Sequence, residues 1–100
     1  MGLLMVPVGF EHGKYQIELA MICRQIYTEF EWTGPVTLPF EDKTNPEPAI
    51  IGWRDGNPWV VIEISYTTQK ADLGYKKLAY EANGIPFYVV FDVREKTLFT

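Results

Sequence analysis

The spacing of apolar residues along this chain alternates between a helical and a strand period, and the switches mark its elements. From about Glu11 to Glu29, Tyr15, Leu19, Ile22, Cys23 and Ile26 recur at i, i+4, i+7, i+8 and i+11, the signature of one helix face. Lys14, Glu18 and Arg24 belong to the other face. Residues 3–9 read as a short strand or an extended lead-in. "EWTGPVTLPF" predicts a turn at Gly34-Pro35 followed by a strand through Phe40, and "EDKTNPEP" a polar loop. "AIIGW", "RDGNP" and "WVVIEIS" read as a β-hairpin over residues 47–65. Thr67 or Thr68 can cap a helix running to about Asn83, with Gly84 placed for a left-handed C-cap and Pro86 stopping continuation. "PFYVVFDV" then predicts a buried strand and "KTLFT" a last one. The order α-β-β-β-α-β(-β) implies an α/β (α+β) domain, a mixed β-sheet flanked by helices that cover its apolar faces.

Length and composition narrow this picture. The chain has 100 residues and no internal repeat, so a single domain over residues 1–100 is expected. Its apolar runs are too short to span a membrane. "MGLLMVPVGF" has no positive n-region and no A-x-A-like cleavage site, which argues against a signal peptide. Cys23, the sole cysteine, excludes an intramolecular disulfide and a cysteine-rich zinc cage. On an apolar helix face it reads as a buried, inert thiol. A cytoplasmic (intracellular), reducing setting fits these features.

One residue resists the pattern. Glu63 interrupts the apolar run Val60, Val61, Ile62 and Ile64. An unpaired carboxylate buried there costs on the order of several kcal/mol, so it needs a lysine, a hydrogen-bond network or a metal. Glu47 opens the same hairpin. Residues opposite each other in an antiparallel pair share a face, with Cβ atoms about 5 Å apart. A tight Asp55-Gly56 turn leaves Glu47 and Glu63 on opposite faces. A loop one residue longer or shorter puts them on one face, in one case directly opposite, and Pro58 favours the irregular, bulged loop. Two like charges that close need a cation between them, and hard oxygen ligands suit Mg²⁺ or Mn²⁺. In the following helix Asp72, Lys76 and Tyr80 at i, i+4 and i+8 form one polar stripe. From there Lys76 can reach the carboxylates. A divalent ion, two acids and an amine are what phosphodiester hydrolysis requires.

The stretch "EPAIIGW…WVVIEISYTTQKADLGYKKLAYEANGIPFYVVFD" resembles the family described as putative restriction endonucleases, within the PD-(D/E)XK nuclease superfamily. The likeness is carried by "VIEIS", Asp72, Gly74, Lys76, Tyr80 and the "ANGIPFYVVFD" exit, and more loosely by "EHGKYQIELA". It implies the restriction-endonuclease-like α-β-β-β-α-β core and a metal-dependent endonuclease acting on DNA. By this resemblance Glu47, after Pro46, and Glu63 are the metal ligands. Ser65 stands where the superfamily lysine falls two positions after the second acid, and Lys76 supplies the amine from the helix. A shifted placement of the motif sets Ala49 rather than Glu47 at the first acidic position. Tyr80, Asp72 and Glu18, the last from the first helix, are accessory candidates.

Each assignment has a plainer counterpart. Glu63 can be a salt-bridged strand carboxylate, and Lys76 can pair only with Asp72 one turn back. Trp32, Trp53 and Trp59 near turns read as core or edge packing more readily than as base-stacking surfaces. The net charge of −4 is opposite in sign to that of most nucleic-acid-binding domains. A bound cation with Lys70, Lys76 and Lys77 would reverse the field locally, and a homodimer would help so small a protein grip a duplex. The rival functions are an inactive nuclease-fold binding or regulatory module and a small interaction domain pairing through its last strand.

Overall fold

The computed structural model describes residues 9–66 and 70–100, with side chains from residue 74 onward in the second stretch. The elements run α1 (Phe10–Ile26), β1 (Glu31–Thr33), β2 (Ile50–Arg54), β3 (Asn57–Ser65), α2 (Lys70–Ala82), β4 (Phe87–Asp92) and β5 (Thr97–Phe99). The five strands form one mixed sheet in the order β1-β2-β3-β4-β5. Neighbours are antiparallel except β3 and β4, which run parallel because α2 crosses between them. This is the predicted fold class. The lead-in over residues 3–8 and the caps at Thr67 and Thr68 lie outside the described residues.

The sheet separates two cores. Alternation along β3 sends Ile62 and Ile64 towards α1, where they pack with Cys23, Ala49, Ile50, Phe91 and Val93. Val61 points the other way, into a cluster with Leu38, Phe40, Ile51, Tyr80, Ile85, Tyr88 and Val90. Among the described residues, Tyr80 is the contribution of α2 to that cluster. Burial raises the pKa of the Cys23 thiol, in keeping with an inert core residue. Ile22 and Ile26, expected on the buried face of α1, are exposed. The contact face of the helix is instead Tyr15, Leu19 and Cys23.

The first strand also differs from its prediction. It lies before Gly34-Pro35, where Glu31–Thr33 pair with Trp53, Gly52 and Ile51. Residues 36–40 form no strand, since Pro35 and Pro39 bring no N–H to a ladder. They lead instead into a loop held by its own bonds. Leu38 N donates to Pro46 O at 2.8 Å, Phe40 N to Asn45 Oδ1 at 3.1 Å and Lys43 N to Phe40 O at 3.0 Å. Leu38 and Phe40 anchor this loop on the α2 side of the sheet.

The hairpin contains both loop features weighed in the sequence. Asp55 (φ 53°) and Gly56 (φ 78°) form a tight left-handed turn between Arg54 and Asn57. The register then shifts between Trp53↔Pro58 and Gly52↔Val60, leaving Trp59 as the extra, bulged residue. Because side chains alternate, that one extra residue reverses the relative facing of the strands beyond it. Helix α2 stops where Gly84 takes φ 80°, and Ile85 N returns a bond to Tyr80 O at 3.1 Å.

Candidate active site

Glu63 shares the face of Val61, the α2 side of the sheet, and its side chain keeps 22% of its exposure. Two residues of α2, one turn apart, meet it. Tyr80 Oη donates to Glu63 Oε1 at 3.1 Å, and Lys76 Nζ lies 3.9 Å from Oε2. One carboxylate oxygen is thereby fixed by a core hydroxyl and the other faces a cation. The Lys76 side chain is 46% exposed, so this ion pair adds little to stability, about 0–1 kcal/mol.

Tyr80 belongs equally to the core. Its ring stacks on Tyr88 at 5.0 Å and meets Phe40 edge-on at 5.6 Å. Burial, then the charge of Glu63 and the hydrogen bond to it, push the hydroxyl well above the ordinary tyrosine range. The phenol therefore stays protonated and acts as a donor.

Glu63, Lys76 and Tyr80 form one side of a cleft of about 370 Å³. Its other walls are Phe40, Asp42, Thr44, Pro46 and Glu47 from the loop, with Tyr75 and Ala79 from α2. Glu47 precedes β2 rather than pairing within it, and Thr37 Oγ1 donates to its Oε2 at 3.3 Å. Of the registers left open by the sequence, the one that sets Glu47 directly opposite Glu63 does not occur. The last registered pair is Ile50↔Ile62, preceded by Ala49. The loop, rather than the ladder, brings Glu47 to the cleft.

The accessory residues separate. Asp72 lies on α2, but its side chain is outside the described residues. Glu18 is exposed on α1, across the sheet from Glu63, and its charge acts on Lys96 rather than on the cleft. Asp42 and Tyr75 were not singled out from sequence. Asp42 Oδ1 accepts from Thr44 N at 3.0 Å and from Thr44 Oγ1 at 2.7 Å. Those bonds hold its carboxyl below the usual range. The D-x-T spacing of this turn was the available signal. Tyr75 gave none beyond being an aromatic one residue before Lys76.

The donor set suits a hard cation, since carboxylates line the cleft without thiolate or imidazole. Among the described residues no group of three or more His, Cys, Asp or Glu side chains is arranged around a common point. A pair of carboxylates with water and substrate oxygens completing the shell is the arrangement in which Mg²⁺ is commonly bound, and Glu47 and Glu63 are donors of that chemical type.

Residues 3–100 match the family model Uma2, described as putative restriction endonuclease. Comparison with curated proteins and with solved structures gave no match. Among the described residues, no helix is long and apolar enough to cross a membrane.

Proposed function

Because the chain belongs to the Uma2 family of putative restriction endonucleases and so is a nuclease-like domain, we propose that it hydrolyses DNA phosphodiester bonds with a divalent cation. Glu47 and Glu63 would hold Mg²⁺ or Mn²⁺, and Lys76 would hold the phosphate. The observation that carries this reading is the meeting of Glu47, Glu63 and Lys76 in one cleft, with Lys76 Nζ 3.9 Å from Glu63. When bound, the cation supplies positive charge to the phosphoryl group and makes a water more acidic.

The remaining work belongs to the side chains. Lys76 projects an ammonium from a helix packed on the sheet and offsets the negative charge that develops on the phosphoryl oxygens. Tyr80, locked by Tyr88 and Phe40, holds Glu63 in one orientation through its hydroxyl. Phe40, Pro46 and Ala79 supply apolar wall that limits water around these charges.

Incubation of supercoiled DNA with Mn²⁺ tests the reading. Wild type should nick, while Glu63→Ala and Lys76→Ala should each lose about 10²-fold or more. Equal nicking by all three proteins would show that the activity is not this site's. A second reading, an inactive nuclease-fold binding module, is favoured by the register. Beyond Ile50↔Ile62 the next residue on β2's side is Ala49, which brings no ligand towards Glu63. Calorimetric titration with Mn²⁺ separates the two, since heat that disappears in both Glu47→Ala and Glu63→Ala supports the enzyme and no heat in wild type supports the module.

A further inference from the structure

Base stacking was expected, if anywhere, at the tryptophans, and the structure accounts for all three elsewhere. Trp32 donates to Tyr27 O at 2.9 Å and meets Phe30 edge-on. Trp53 donates to Thr33 Oγ1 at 2.8 Å, and Trp59 lies under Arg54 at 5.3 Å. None of them lines the acidic cleft. Tyr75 does. It stands at the mouth beside Lys76, 73% exposed, and among the described residues it makes no hydrogen bond or ring contact.

An aromatic ring this exposed covers no core, so packing does not explain its place. We propose that Tyr75 is a stacking platform for an unpaired nucleobase whose neighbouring phosphate is held at Lys76, making single-stranded DNA the substrate form that the cleft accepts. The inference rests on the nuclease reading and names its substrate class. In a duplex both faces of an interior base are already covered by its neighbours, so only an unpaired or flipped base can lie on the ring. The cleft, about 370 Å³, is at the small end of ligand pockets and matches a nucleotide unit rather than the girth of a duplex. Charge favours the same answer. A chain of net charge −4 gains little from backbone phosphates alone, and stacking supplies affinity that salt does not screen.

Fluorescence anisotropy with labelled oligo(dT) and a blunt duplex of equal length tests this, in chelator so that binding is read without hydrolysis. Tyr75→Ala should weaken oligo(dT) binding about 5- to 150-fold and leave duplex binding unchanged. Tyr75→Trp should bind at least as tightly as wild type. Leu78→Ala, which removes another largely exposed side chain of α2 that does not line the cleft, should match wild type. The slope of log K against log salt should be preserved in Tyr75→Ala and flattened in Lys76→Ala. Tyr75→Ala binding like wild type, an equal loss for the duplex, or no oligo(dT) binding by wild type would each overturn the proposal. Failure of the hydrolytic reading shows separately, as Mn²⁺-dependent cleavage of circular single-stranded DNA and of supercoiled DNA that is absent from wild type or unchanged in Glu63→Ala.

Discussion

The two faces of the sheet are made from alternate residues of the same strands, yet they are filled differently. Towards α1, Ala49, Ile50, Ile62, Ile64, Phe91 and Val93 give an apolar layer. Towards α2 the core contains Tyr80 and Tyr88 among its aliphatic residues, and Glu63 follows Val61 on β3. The α1 face only has to exclude water. The α2 face has to exclude water and also hold one carboxylate in a fixed direction. Tyrosine meets both demands, because its ring fills core volume while its hydroxyl reaches the acid.

Matched cavities in the two cores should have the largest effect. Ile50 and Ile51 are adjacent, fully buried and on opposite faces. Ile50→Ala and Ile51→Ala should each cost about 2–5 kcal/mol in urea unfolding, and a markedly smaller loss at Ile51 alone would show a looser α2 face. Making the faces alike comes next. Glu63→Leu with Tyr80→Phe should raise stability by about 1–2 kcal/mol while abolishing nicking, since a desolvated polar pair gives way to apolar packing.

Tyr80→Phe alone leaves Glu63 without its donor and should cost about 1–2 kcal/mol. This variant also changes the alkaline limb. The raised pKa of Tyr80 means the folded state keeps its proton where the unfolded state loses one. That contribution is complete below about pH 10 and falls as pH rises further, by at most about 1.4 kcal/mol per pH unit. Unfolding followed from pH 9 to 11 should show a shallower decline in Tyr80→Phe. The smallest effect belongs to Lys76→Ala, expected within about 1 kcal/mol of wild type in stability despite its loss of nicking.

Glu63 was legible because a charge inside a β-period apolar run has few physical explanations, and its lysine was legible from helical spacing. Lys76 and Tyr80, one turn apart, both reach it. Glu18 was not placed correctly by the same logic, because spacing within α1 says nothing of which side of the sheet the helix covers. Strand β1 was displaced because the apolar residues after Gly34, Val36, Leu38 and Phe40, imitate a strand. Leu38 and Phe40 are buried as loop anchors instead.

What the sequence determined by itself is the order of elements, the mixed sheet between two helices, and the acid that needs a partner, all of which follow from local period and the cost of burying charge. What only the tertiary structure decided is which distant residues stand around that acid. The bulge at Trp59 resets the facing of the hairpin, and the bonds Leu38–Pro46 and Phe40–Asn45 lay a proline-rich loop over the sheet. Asp42 and Glu47 thereby come to line one cleft with Glu63, which Tyr75 of α2 also lines. Facing depends on a single inserted residue and the loop on bonds across five and eight positions, and neither leaves a periodic trace in the chain.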